Sequence, residues 1–137
     1  MGTRRNAREL VLQLLYQYEL TGGSPEEMQE DFEEWRNAGE GVQAFADVLL
    51  RGTLSRLDEI DAELSHQTTH WRLERLAAVD RNILRLALYE LLCETDTPHA
   101  VVIDEAIEIA KKYGAKDSAR FVNGVLDGFV KRRAQTG

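Results

Sequence analysis

Apolar residues recur every three or four positions through almost the whole chain, which predicts a protein built of helices. Over residues 3–20, Ala7, Leu10, Val11, Leu14 and Tyr18 cluster about 140° to 240° from Arg5 on a helical wheel at 100° per residue. Tyr16 falls at about 20° on the same wheel, opposite the apolar stripe, with Leu12 beside it and Arg8 at the margin. Gly22 and Gly23 stop this helix. Ser24-Pro25-Glu26-Glu27 then starts the next, with a serine cap, a first-turn proline and a glutamate placed for a capping box. That second helix is predicted to reach about residue 37, offering only Met28, Phe32 and Trp35 to a core.

A third, long helix is predicted over residues 42–64, where Val42, Phe45, Ala46, Leu49, Leu50, Leu54, Leu57, Ile60 and Leu64 step by three and four. Gly52 inside it marks close helix packing rather than a break. The polar stretch 65–70 reads as a joint between two helical halves. Beyond it come a short helical turn at 71–76 and a helix at 78–94, apolar over most of its circumference and so central to its half. The next helix spans 101–113, with Gly114 as its stop. Ser118 caps a last one, to about 133. On that last helix Val122, Val125, Leu126 and Phe129 form the core stripe, Arg120, Asn123, Asp127 and Lys131 lie opposite, and Phe121 sits at the edge. Gly124 and Gly128 leave bare backbone along one margin, where a helix or a ligand can approach. No sheet is expected, since the one β-branched run, Val101-Val102-Ile103, leads directly into a helical pattern.

A chain of 137 residues can bury a core without metal or disulfide staples. Cys93 is the single cysteine, so an internal disulfide is ruled out, and its apolar surroundings suggest a buried thiol. Apolar runs fall short of a membrane span and no secretory h-region follows the N-terminal arginines, so a cytoplasmic protein is expected. His66 and His70 are spaced i, i+4, but no acidic catalytic signature accompanies them and no metal site is expected. Nor is there a glycine-rich phosphate loop or a nucleophile elbow, so no cofactor and no enzymatic activity are expected.

The formal net charge of −7 argues at first against a nucleic-acid partner. Its distribution changes that picture. Residues 24–40 carry seven acids and one base, whereas 111–133 carry seven bases and two acids, and Arg4, Arg5 and Arg8 add positive charge at the other end. Chain termini often lie close together, and if these meet they form one basic patch on an acidic body. An outward tyrosine on a helix that also carries arginines is a platform for an unstacked base, with the guanidinium groups available for phosphate. A surface tyrosine covering a neighbouring helix is the plainer alternative.

Four blocks in this order carry a family resemblance: Arg8-Glu9 with Gln13-Leu14-Leu15-Tyr16; Val79-Asp80-Arg81-Asn82-Ile83-Leu84-Arg85-Leu86-Ala87-Leu88-Tyr89-Glu90-Leu91; Ile103-Asp104-Glu105-Ala106-Ile107-Glu108-Ile109-Ala110-Lys111-Lys112-Tyr113-Gly114; and Phe121-Val122-Asn123-Gly124-Val125-Leu126-Asp127. Together they resemble the NusB family of bacterial transcription antitermination factors over nearly the whole chain. The resemblance implies an all-α fold of about seven helices in two small bundles packed roughly perpendicular, here about residues 1–66 and 71–137. It also implies binding, with the ribosomal protein NusE, to the single-stranded boxA element of ribosomal RNA leader transcripts, where the pair joins RNA polymerase and further Nus factors. The residues that inherit RNA-binding roles are Arg4, Arg5, Arg8, Tyr16, Lys116, Asp117, Arg120 and Phe121. The N-terminus has fewer basic residues than many relatives, and Asp104 stands where asparagine is frequent.

Overall fold

The structure is a computed structural model that describes residues 2–68, 72–94 and 96–136. Among these residues there are eight α-helices, one short 3-10 helix and no strand. The helices are α1 (Gly2–Thr21), α2 (Pro25–Asp31), α3 (Glu33–Arg36), α4 (Glu40–Ser55), α5 (Leu57–Gln67), α6 (Ala78–Cys93), α7 (His99–Tyr113) and α8 (Ser118–Thr136), with the 3-10 turn at Leu73–Arg75.

Local chemistry sets several boundaries. Gly22 and Gly23 take φ of 68° and 99°, left-handed values that glycine adopts without a Cβ penalty, and they end α1. Ser24 Oγ then accepts the Glu27 N–H while the Glu27 carboxylate accepts the Ser24 N–H, completing the capping box of α2.

Two helices expected as continuous are broken. Phe32 adopts extended backbone at φ −100°, ψ 108°, separating α2 from α3 and letting Phe32 pack on the core while Trp35 is buried. Arg56, at φ −115°, ψ 20°, separates α4 from α5. Both pack against α6, and the one-residue break redirects the chain without interrupting the apolar spacing, which is why periodicity alone reads it as one helix. Gly52 does mark close packing, because a Cβ there would collide with the Tyr89 ring. Gly114 stops α7 in extended rather than left-handed backbone, at φ −91°, ψ −175°. Ser118 is the first residue of α8 rather than its cap, and its Oγ accepts the Ala115 N–H at 2.8 Å.

Helix α6 is the centre of the molecule, packed against α1, α4, α5, α7 and α8. Residues 82–84 and 86–91 of it are all buried, including Asn82, whose Nδ2 donates to the Ala78 carbonyl at 3.0 Å. Helix α1 lies between α4 and α6, and α7 pairs with α8. Cys93, at the end of α6, is half-buried rather than enclosed, and partial burial still pushes its thiol pKa up.

Candidate RNA interface

Helix α1 presents Tyr16 to solvent, 45% exposed, as the wheel places it. The buried arc of α1 is wider than one core stripe, however, because the helix has neighbours on two sides. Leu12 is therefore 5% exposed rather than outward beside Tyr16. Arg8, expected as a phosphate contact, is 3% exposed. Its guanidinium donates to both Glu90 carboxylate oxygens, at 2.9 and 2.8 Å, and to Glu105 at 3.3 Å. Burial alone would lower its pKa, but the Glu90 hydrogen bonds and charge outweigh that and raise it. Arg8 is thus an internal tie from α1 to α6 and α7, with its guanidinium already engaged by two carboxylates.

The other N-terminal arginines stay near the surface. Arg4 is exposed, with its guanidinium 4.4 Å from the Phe45 ring centroid and a long 3.4 Å hydrogen bond to Thr97 Oγ1. Arg5 is half-exposed and grips Glu105 with two hydrogen bonds, one of them 3.1 Å, which hold the Glu105 carboxyl below its ordinary range. Arg5 and Tyr16 share a face but are eleven residues apart, about 16 Å along the helix, so one nucleotide does not bridge them.

At the corner between α7 and α8, Lys116, Asp117 and Arg120 are exposed and Phe121 is half-buried against the core. Neither Lys116 nor Arg120 forms an ion pair with a described residue. Tyr113, at the end of α7, is a further exposed aromatic that the sequence alone does not single out. It is 37% exposed and its hydroxyl donates to Glu9 Oε1 at 3.0 Å. Lys112 Nζ lies 5.2 Å from its ring centroid. Spacing from the buried Ile109 and Ala110 sets Tyr113 at the rim of the core stripe, so α7 alone carries no sign that it faces α1. Tyr16 and Tyr113 both line a groove of about 790 Å3, floored by Leu12, Met28, Phe32 and Val79.

The chain ends do not join in one basic patch. The first turns of α1 meet α7 through Arg5 and Glu105, whereas the last turns of α8 lie on α5, with Arg132 bound to Glu63 at 2.7 Å and to Gln67 at 3.0 Å. Gln67 also covers Gly128, while Gly124 faces open space. His66 is exposed, His70 lies outside the described residues, and no cluster of three or more metal-ligating side chains occurs among the described residues. No helix among them is long and apolar enough to cross a membrane.

Comparison with known proteins agrees with this arrangement of helices. The model of the NusB family matches residues 5–131. The transcription antitermination protein NusB of Trichlorobacter lovleyi is 46% identical over 127 residues, covering 93% of this chain and 89% of the relative. That of Desulfitobacterium hafniense is 46% identical over 132 residues, covering 94% and 88%. Among solved structures, T. maritima NusB is 42% identical, with a TM-score of 0.85 and coverage of 93% of this chain and 90% of that one. A crystal structure of the antitermination factors NusB and NusE in complex with double-stranded RNA holds a chain 29% identical to this one, with a TM-score of 0.85 and coverage of 96% and 98%. The chain therefore belongs to the NusB family, the family of these transcription antitermination proteins.

Proposed function

We propose that this protein is a non-enzymatic RNA-binding adaptor that acts in the cytoplasm with ribosomal protein NusE. Its ligand is the single-stranded boxA element of ribosomal RNA leader transcripts, and the complex joins RNA polymerase and further Nus factors to support processive transcription of ribosomal RNA operons. The observation that carries this reading is Tyr16, a large aromatic held in solvent on α1, lining the same groove as Tyr113. Stacking on such a ring contributes about 1–3 kcal/mol per base. Lys116 and Arg120 supply charge at the adjoining corner, Asp117 an acceptor for base donors, Phe121 a second aromatic edge, and Arg4 and Arg5 the far end of the strand path. Two half-bundles, about 1–66 and 71–137, would frame that path. A relative whose solved complex holds NusE and double-stranded RNA supports NusE and RNA as the classes of partner.

Titration of purified protein with boxA-like and scrambled single strands, alone and with NusE, tests the proposal. NusE is expected to tighten boxA-like RNA by roughly 5-fold or more, and RNA to tighten NusE by the same factor, since coupling is reciprocal. Independent binding of the two ligands, or equal affinity for boxA-like and scrambled strands, refutes it.

A further inference from the structure

Two ion pairs lie along the seam between α1 and α7. Arg5 is held by Glu105, and one turn on in α1, Glu9 accepts from Lys112 Nζ at 3.0 and 3.2 Å. In each pair the cation is the exposed member, with side-chain exposures of 38% for Arg5 and 59% for Lys112, while each carboxylate is only 13% exposed. Partly exposed pairs of this kind are weak enough for another anion to replace. The Arg8–Glu90 pair beside them is not, since its side chains are 4% and 2% exposed.

What distinguishes these two carboxylates is that each keeps a second partner if its cation leaves. Glu105 retains Arg8 at 3.3 Å, and Glu9 retains the Tyr113 hydroxyl at 3.0 Å. Opening either pair therefore leaves neither carboxylate without a hydrogen bond, and it frees a long cationic side chain at the surface that carries Tyr113. Resting on the RNA-binding reading above, we infer that Glu9 and Glu105 are built-in competitors of RNA phosphate, holding Lys112 and Arg5 back until a strand displaces them. A polyanion offering phosphate alone exchanges one anionic partner for another and gains little. A single strand that also stacks a base on Tyr16 gains the stacking as well, so the seam favours unpaired RNA over duplex. Lys112 thereby becomes a phosphate contact in waiting, beside Arg5.

The test uses the full chain and a fluorescein-labelled boxA-like single-stranded RNA, with anisotropy measured across a range of KCl concentrations. Glu9→Gln and Glu105→Gln are each expected to bind about 2- to 5-fold more tightly at low salt, a range set by the strength of partly exposed ion pairs. Each should also steepen the fall of log affinity with log salt by about 0.7, the value for one further phosphate contact on a single strand. Asp104→Asn, which removes the same charge from an exposed position on the same helix, is the control and should change affinity by less than half as much. If the carboxylates serve only to hold α1 to α7, the glutamine variants melt earlier and bind no more tightly, which overturns the inference. A gain from Asp104→Asn equal to the others also overturns it, because diffuse repulsion then explains the effect. Salt-insensitive or absent binding by the unmodified chain removes the RNA-binding reading itself, whereas normal wild-type binding without a gain in either glutamine variant removes only the competition.

Discussion

Glu90→Gln should destabilise the protein severely, although it only exchanges one carboxylate oxygen for an amide NH2 at nearly constant volume. Glu90 is 1% exposed and receives two of the three hydrogen bonds that the buried Arg8 guanidinium makes. Without the Glu90 charge, Arg8 keeps only Glu105 at 3.3 Å as a carboxylate partner, and Glu105 is already shared with Arg5. Breaking one side of a buried pair leaves an uncompensated charge at a cost of about 3–5 kcal/mol, a large part of the about 5–15 kcal/mol that holds a domain together. For a chain of this size that corresponds to a melting temperature lower by about 10–20 °C. Arg8→Met should cost a similar amount, since it leaves Glu90 buried without its cation. The double variant Arg8→Met with Glu90→Leu removes both charges while conserving shape, and should recover most of the loss. Urea denaturation followed by circular dichroism measures all three. Single variants that cost less than about 1 kcal/mol would refute the reasoning, because the pair would then behave as a surface bridge. The double variant also separates two roles for Arg8. If it unfolds at the wild-type urea midpoint yet has lost RNA affinity, Arg8 contacts phosphate after all.

Two further outcomes are expected. Tyr16→Ala should weaken single-stranded RNA binding by about 1–3 kcal/mol while leaving the melting temperature nearly unchanged, and the reverse pattern would make Tyr16 a packing residue. On acidification the protein should lose stability from about pH 5 downward. Glu19, bound chiefly by Arg81 and further by Arg85, and Glu105, bound by Arg5, both titrate below their ordinary value in the folded state. Their stabilising contribution is therefore complete above the unfolded carboxylate pKa of about 4.3 and disappears as pH falls through the lower folded values. Urea midpoints that stay flat between pH 5 and pH 3 would contradict this, and Glu19→Gln should make the decline shallower.

Much of the fold is legible in the sequence because amphipathic spacing reports which face of each helix is buried. It reports much less about how many neighbours share that burial. The α4 and α5 stripe continues in phase through Arg56, so the break is set by packing on α6 and leaves no periodic trace. For the site, the wheel of α1 places Tyr16 outward, and it is 45% exposed. The same wheel misplaces Arg8 and Leu12 because α1 is clasped by α4 and α6, which widens the buried arc to its margins. The partner that buries Arg8 stands 82 residues away. A guanidinium 82 residues from its carboxylate reads as a free cation in any local window. Tyr113 is hidden for a related reason: its hydroxyl bonds to Glu9, 104 residues away.

Counting which cations are free recasts the charge argument. In the sequence the basic residues at both ends suggest a patch strong enough to hold a polyanion. In the folded chain Arg5, Arg8, Lys111, Lys112, Lys131 and Arg132 all have carboxylate partners. Arg4, Lys116 and Arg120 form no ion pair with a described residue. Three phosphate contacts give a salt slope of only about 2 for a single strand, and the net charge of −7 opposes attraction at long range. Stacking on Tyr16 adds a gain that the ordering of a flexible strand largely offsets. On the proposed reading, a chain built this way is expected to bind RNA weakly by itself. Tighter binding is expected once a second protein extends the strand path with cations of its own, or once the seam pairs open and release Arg5 and Lys112 as proposed. Both routes would make tight binding conditional on the right strand and the right partner, as the proposed role of an adaptor on one leader element requires.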